Sequence, residues 1–198
     1  AIQGFGNVGS HAARLFVEQG AKVVAIGDHH GAFHDPAGID VAKALAYVAE
    51  HRHLDGFSGA PALDRKEILF VECDILVPAA LGGVITKDNA GAVRAKLIVE
   101  GANGPITPDA DAHLLGKGIV TLPDIYANAG GVTVSYFEWV QNIQHVYWDR
   151  ERVQAELERV MVKAFAALAA CAKSRAIDLR TAAFVLAVER VHRATKLR

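Results

Sequence analysis

The feature that most constrains the fold of this chain is a glycine-rich turn between a short apolar stretch and a helix. The segment Gly4-Phe-Gly-Asn-Val-Gly9 follows the strand-like residues 1–3 and leads into a helical pattern over 8–19, which ends at Gly20. A strand, a tight glycine turn and a helix in this order allow the helix to pack directly on the strand. The spacing therefore predicts the first strand–helix unit of a parallel sheet.

Short apolar strands alternate with helices through the next hundred residues. Strands are predicted over 22–26, 74–77, 97–100 and 119–122, a loop over 27–38, and helices over 40–51 and starting at Thr86 and Thr107. This alternation indicates the fold class α/β, with a doubly wound parallel sheet (Rossmann-like) and C-terminal helices. Helices are predicted over 131–144, 149–174 and 180–196. We expect a dinucleotide-binding domain over 1–144, with the helices of 145–198 packing on that same domain.

Composition excludes several classes of function. The chain is 52% hydrophobic and 22% charged, which favours a globular protein over a disordered one. Its net charge of −1 provides no basic field for nucleic acid or an anionic membrane. No apolar run reaches the ~20 residues of a membrane span. Cys73 and Cys171 lack CxxC spacing and are interpreted as small hydrophobes in a reducing cytoplasm, the predicted location.

The three glycines of the turn have separate predicted tasks. Gly4 permits the tight turn, Gly6 lets the backbone approach a pyrophosphate, and Gly9 lets the helix pack closely on the strand. The helix N-terminus then faces the phosphates. The predicted cofactor contacts along the turn are Gly4, Phe5, Gly6, Asn7, Val8 and Gly9.

An acid at the end of the next strand is the second test of a dinucleotide site, and Asp28 meets it. Its carboxylate would accept bonds from the adenosine ribose and repel a 2′-phosphate, which favours NAD. His29 and His30 leave NADP open, because either imidazole could donate to a phosphate. Flavin also stays open, although no flavin-specific feature is present. With His34 these histidines lack the fixed spacing of a metal site, so no metal is predicted.

Four segments, in order, resemble the glutamate/leucine/phenylalanine/valine dehydrogenase family. They are Gly4-Phe-Gly-Asn-Val-Gly9, Pro78-Ala-Ala-Leu81, Glu100-Gly-Ala-Asn-Gly-Pro105 and Asn128-Ala-Gly-Gly-Val-Thr-Val-Ser-Tyr-Phe-Glu-Trp139. The likeness extends to Arg180-Thr-Ala-Ala-Phe184 and so covers essentially the whole chain. The spacing is most similar to the glutamate dehydrogenases of the family.

The resemblance implies further site residues at strand ends. Ala79 and Ala80 would border the adenosine side of the cofactor, and Asn103 would lie near the nicotinamide and its ribose. Asn128 would bond the nicotinamide carboxamide. The alternative for each asparagine is loop or helix capping.

The resemblance also implies a substrate contact. Ser135 matches the serine that holds the substrate side-chain carboxylate in glutamate dehydrogenases, and Val132 would line the same pocket. In the branched-chain and aromatic relatives an apolar residue replaces the serine, which would leave that carboxylate unpaired. Ser135 could instead bond back to its own helix.

The implied reaction is the reversible oxidative deamination of L-glutamate to 2-oxoglutarate and ammonia. The acid–base lysine and aspartate of the family lie on a separate N-terminal domain, so no catalytic residue is named in this chain. A central parallel strand runs about five residues, yet only residues 1–3 precede the turn, so we expect this chain to be a fragment. Because the resemblance puts the acid–base residues on another domain, the fragment is expected to be inactive, and the resemblance implies a homo-hexamer for the full-length enzyme. The alternatives are a leucine, phenylalanine or valine dehydrogenase, or a non-catalytic nucleotide-sensing module.

Overall fold

The chain divides into two compact units in the structure, a computed structural model that describes residues 1–196. The first unit is 1–121 and the second begins at Leu122. The predicted domain boundary at residue 144 stays a prediction, as does the packing of the C-terminal helices. None of the described helices is both long enough and apolar enough to cross a bilayer.

A seven-stranded sheet, counted over residues 1–196, organises the first unit. Its spatial order is β4-β3-β2-β1-β5-β6-β7, and the pairs β1–β2, β1–β5 and β5–β6 are parallel. The strands are β1 (Ile2–Gln3), β2 (Ala25–Gly27), β3 (Ala32–His34), β4 (Ala62–Leu63), β5 (Ile75–Pro78), β6 (Leu97–Val99) and β7 (Val120–Leu122). The helices that alternate with them are α1 (Asn7–Glu18), α2 (Val41–His51) and α3 (Pro108–Gly116).

Two apolar clusters lie on opposite faces of this sheet. Neighbouring residues of one strand, such as Leu76 and Val77 of β5, belong to different clusters, because successive side chains of a strand point to opposite faces. Ala13 of α1 and Ala44 of α2 join one cluster, whereas Leu114 of α3 joins the other. Helices therefore cover both faces, and the predicted doubly wound fold class is confirmed.

Two local predictions are wrong. The loop predicted over 27–38 contains β3, which pairs antiparallel with β2 and with β4, and no strand was predicted at β4. The helix predicted to start at Thr86 is instead a turn followed by a 3-10 helix at Ala90–Ala92. The Asn89 side chain accepts from Thr86 N and donates to Val84 O, so it holds residues 84–89 in a turn closed by its own side chain.

The second unit is helical and has its own core. Its helices are α4 (Asp124–Ala127), α5 (Ala129–Gln144), α6 (Arg150–Arg175) and α7 (Leu179–Lys196). Leu168 and Cys171 of α6 pack with Ala182 and Ala183 of α7. Asp149 accepts from Arg152 N at the start of α6, as its predicted capping role requires.

Candidate functional site

The glycines of the first turn differ in the space around them, in the way their predicted tasks require. Gly4 has φ +97°, and a Cβ there would lie 2.6 Å from Ala79 O. A Cβ on Gly9 would fall far inside van der Waals distance of the Gly4 carbonyl oxygen and 2.7 Å from its carbon. A Cβ on Gly6 would meet nothing within 4 Å. Gly4 and Gly9 are therefore required by the fold, whereas Gly6 faces open space that a ligand could use.

The glycine turn lies at the point where the strand order of the sheet reverses. The chain leaves β1 for its neighbour β2 on one side and later returns to β5 on the other side. Gly4 N donates to Gly27 O over 2.7 Å, and Ala79 N donates to Gln3 O over 2.6 Å, so the carboxyl ends of these three strands lie side by side. In open α/β sheets this reversal point is where ligands bind.

Helix α1 presents an N-terminus suited to an anion. Within α1, which the structure describes in full, the first turn has no acidic residue and Gly6 makes no side-chain cap. The first amide N–H groups of a helix have no partner inside it, and the helix dipole places partial positive charge there. A phosphate can therefore bind at this end without displacing a side chain.

A cavity of about 870 Å³ adjoins the turn. Its lining combines the turn, the ends of the neighbouring strands and the segment that follows β4; it includes Gly6, Asp28, His29, Arg65, Lys66, Leu69, Ala79 and Ala80. The volume falls in the range of small-molecule and cofactor sites. Seven of the residues predicted from the sequence line it, namely Gly4, Phe5, Gly6, Asp28, His29, Ala79 and Ala80.

Phe5, Asn7 and Val8 of the turn differ in what they expose. Phe5 is a core residue at 3% exposure, so its backbone and not its ring is available to a ligand. Asn7 and Val8 are exposed on the first turn of α1. Val8 lies near Gly101, where a Cβ would come within 3.4 Å of Val8 Cγ1 and 3.0 Å of Ala79 Cβ.

The Asp28 carboxylate accepts hydrogen bonds from three backbone N–H groups. Its Oδ1 accepts from His30 N at 2.7 Å and from Gly31 N at 2.9 Å, and its Oδ2 accepts from Leu54 N at 2.7 Å. Asp28 N also donates to Gly31 O, closing the connection between β2 and β3. The carboxylate therefore has a structural task that the sequence prediction did not include.

Asn103 follows β6 and is exposed. Its segment runs beside the end of β5, since Gly101 N and Ala102 N both donate to Pro78 O, and Gly83 N donates to Gly104 O. The structure thus brings Asn103 to the same edge of the sheet as the glycine turn.

Three predicted residues lie in the second unit. Asn128 joins α4 to α5, and its N–H donates to Asp124 O. Val132 and Ser135 lie one turn apart on α5, and Val132 is 70% exposed. Ser135 Oγ donates to Gly131 O at 3.2 Å, which is the intrahelical bond weighed against the substrate role.

Sequence reasoning missed Arg65 and Lys66 in the cavity wall. They follow β4, a strand that was not predicted, and no motif marks them.

Within the described residues no group of three His, Cys, Asp or Glu side chains could hold a metal ion. The His29 and His30 rings lie 3.9 Å apart, and the His30 and His53 rings 4.5 Å apart.

A second cavity, of about 540 Å³, lies at the amino ends of the strands, with Cys73 and Lys22 in its wall. Burial raises the pKa of the Cys73 thiol, so the group is a poor nucleophile near neutral pH. This cavity is at the edge of the sheet opposite to the glycine turn.

Comparison with known proteins identifies the family. The family model described as glutamate/leucine/phenylalanine/valine dehydrogenase matches residues 1–198. The chain belongs to this family. A curated glutamate dehydrogenase from Thermotoga maritima is 48% identical over 199 residues, covering 100% of this chain and 48% of that protein.

Solved structures of the glutamate/leucine/phenylalanine/valine dehydrogenase family share this fold. The hetero-hexameric glutamate dehydrogenase of Thermus thermophilus, in its Leu-bound form, has a TM-score of 0.91 at 36% identity, covering 100% of this chain and 47% of that chain. The glutamate dehydrogenase of Peptoniphilus asaccharolyticus has a TM-score of 0.84 at 37% identity, covering 100% and 46%. This family member therefore spans about half the length of the relatives it matches.

Proposed function

We propose that this chain is the cofactor-binding part of an enzyme that catalyses the reversible, NAD(P)-dependent oxidative deamination of L-glutamate to 2-oxoglutarate and ammonia. Membership of the dehydrogenase family and 48% identity to a glutamate dehydrogenase support this activity. Because the chain spans about half of that relative, we infer that the catalytic lysine and aspartate are supplied by a part of the protein outside these residues.

The observation that carries the proposal is the open space at Gly6 beside an uncapped helix N-terminus. A pyrophosphate needs close approach to backbone and a positive local potential, and both are available here. The geometry fits a dinucleotide better than a purely structural turn, since a structural turn gives no reason for glycine at an extended position with nothing near its Cβ.

The predicted cofactor-binding residues have proposed tasks in holding and orienting the dinucleotide. The amide N–H groups of the α1 first turn hold the pyrophosphate, and Ala79 and Ala80 leave room for the adenosine. When bound, the nicotinamide ring supplies the acceptor for the hydride that leaves the substrate. Asn103 and Asn128 are proposed to orient the nicotinamide end by hydrogen bonds to its ribose and carboxamide.

We propose that Ser135 selects glutamate. Its hydroxyl, now bonded to Gly131 O, can rotate to donate to the carboxylate of a substrate side chain, while Val132 forms an apolar wall one turn away. Replacing Ser135 with valine removes that donor and favours an apolar side chain, as in a leucine or phenylalanine dehydrogenase. The identity of residue 135 therefore favours a glutamate dehydrogenase over a leucine or phenylalanine dehydrogenase.

Two measurements test the proposal. Isothermal titration calorimetry of this chain with NAD should show binding at one site, whereas no binding would contradict the dinucleotide site. In a full-length enzyme carrying this sequence, Ser135→Val should reduce kcat/KM for glutamate by about tenfold to a hundredfold. Thr133→Val on the same helix is the matched control, because the Thr133 hydroxyl bonds Ala129 O. Equal loss from both variants would contradict the selective role of Ser135.

Assembly and location belong to the same proposal. We infer a hexameric full-length enzyme, which the hexameric state of the Thermus thermophilus relative supports, and a cytoplasmic location. That relative is a hetero-hexamer, so the homo-hexamer expected from the sequence stays a prediction that analytical ultracentrifugation of the full-length enzyme tests.

A further inference from the structure

The connection between β2 and β3, residues 28–31, contributes Asp28 and His29 to the wall of the cavity beside the glycine turn. Asp28 is the acidic residue of this segment, and three backbone N–H groups donate to its carboxylate. A carboxylate offers about four acceptor positions, so most of this one is already used. The three amide dipoles also point their positive ends at the carboxylate and so partly offset its negative potential. Asp28 is therefore a weaker barrier to a 2′-phosphate than its position in the sequence indicates.

Two cations lie across the same cavity. Arg65 and Lys66 line it together with His29, and the Arg65 guanidinium donates to His29 O. That bond ties the guanidinium to the loop that carries Asp28, although 36 residues separate the two partners in sequence. Among the described residues neither cation forms an ion pair with a carboxylate.

The acid beside these cations is also bound to its own loop. Asp64 lines the cavity, and its Oδ1 accepts from Lys66 N at 2.9 Å. Both acids of this wall, Asp28 and Asp64, thus bind backbone amides, while the Arg65 and Lys66 head groups keep their donors. Arginine has five N–H donors in a planar fork, so one bond to His29 O leaves most of them for a phosphate.

We propose that Arg65 is the specificity-determining residue for a 2′-phosphate, and that the site accepts both NAD and NADP. Asp28 acts as a positioning residue that holds the β2–β3 connection and does not exclude NADP. The proposal rests on the dinucleotide site proposed above and deepens it. It replaces the sequence-based preference for NAD with two cofactors distinguished by one arginine.

Calorimetric titration of the chain with NAD and with NADP at pH 8 tests this. There the histidines are mostly neutral, so Arg65 and Lys66 remain as the cations. The unmodified chain should bind the two cofactors with Kd values within about tenfold of each other. Arg65→Ala should weaken NADP binding by about tenfold to a hundredfold and change NAD binding by less than about twofold, because a charge-assisted bond to the phosphate is lost.

Arg94→Ala is the matched control. It removes the same charge from an exposed arginine in the wall of the second cavity, and should leave both Kd values unchanged. Equal weakening of NAD and NADP by Arg65→Ala, or NADP binding more than about tenfold weaker than NAD in the unmodified chain, would overturn the inference. Binding of neither cofactor would overturn the proposed function as well.

Asp28→Asn tests the positioning role separately. An amide group can accept through one atom only, so a backbone N–H loses its partner and the thermal unfolding temperature should fall. The ratio of the NAD and NADP Kd values should stay the same. An increase in NADP affinity of about tenfold or more would show that Asp28 repels the 2′-phosphate, and would refute this part of the proposal.

Discussion

The two glycines Gly6 and Gly9 provide a direct test of how the turn separates folding from binding. Alanine at Gly9 would place its Cβ 2.7 Å from the Gly4 carbonyl carbon, where ordinary contact begins at 3.4 Å. The Gly4 carbonyl oxygen would be closer still, so the helix or the turn must move by more than about 0.7 Å, the difference between these two distances. Alanine at Gly6 meets no atom within 4 Å, and the backbone there is extended, at φ −80° and ψ −157°.

The expected magnitudes follow from these contacts. Crowding against backbone costs about 1–3 kcal/mol or more, and the helix preference of alanine over glycine offsets about 1 kcal/mol of it. Because the Gly9 contact is with backbone, no side chain can rotate away, and we expect Gly9→Ala to lower the free energy of unfolding by about 2 kcal/mol. That corresponds to roughly 4–8 °C in Tm. Gly6→Ala should change stability by less than about 0.5 kcal/mol.

Binding should show the opposite order. A Cβ on Gly6 enters the space proposed for the pyrophosphate, so Gly6→Ala should weaken NAD binding at least about tenfold. Circular dichroism melts give the stability and isothermal titration calorimetry gives the Kd. Gly116→Ala, at the end of α3 with nothing near its Cβ, is the control; it should leave NAD binding unchanged and should not lower the stability. If Gly6→Ala bound NAD normally, or if Gly9→Ala were as stable as the unmodified chain, the assignment of these roles would be wrong.

Further predictions concern the second unit and the turn after β5. Ala176, at φ +52° in the cap of α6, should gain about 1 kcal/mol of stability on replacement by glycine, measured by thermal unfolding. Asp178→Ala should cost about 1 kcal/mol at pH 7, because Asp178 accepts from Thr181 N and Oγ1. Burial tends to raise the pKa of Asp178, but the bonds from Thr181 outweigh it and leave that pKa below its usual value. The stabilisation is thus present above the unfolded pKa and lost as pH falls through the lowered one, so melts of Asp178→Ala and the unmodified chain should converge in acid; a constant difference would contradict this. Asn89→Asp should lower Tm, because it removes the donor to Val84 O. An unchanged Tm would show that this hydrogen bond does not stabilise the turn.

The sequence by itself determined the parts of this protein that depend on local geometry. The roles of Gly4 and Gly9 could be predicted because a tight turn and a close helix–strand contact restrict the backbone at those positions alone. Buried strands such as β5 and β6 could be predicted because their apolar runs have no other stable location. The family likeness could be recognised for the same reason, since its four motifs are continuous in sequence.

Only the tertiary structure decided the features that join distant residues. Strand β3 escaped prediction because the stretch around it, residues 27–38, is rich in Gly, Asp, His and Pro, as loops are. Its backbone bonds are satisfied by β2 and β4 across the sheet edge. The ribose role of Asp28 stays a prediction, and only the structure shows that one of its amide partners is Leu54, 26 residues further along. Arg65 reaches the same cavity only because the chain returns through β4. A pattern records which groups are present, but long-range pairing decides which of them remain available to a ligand.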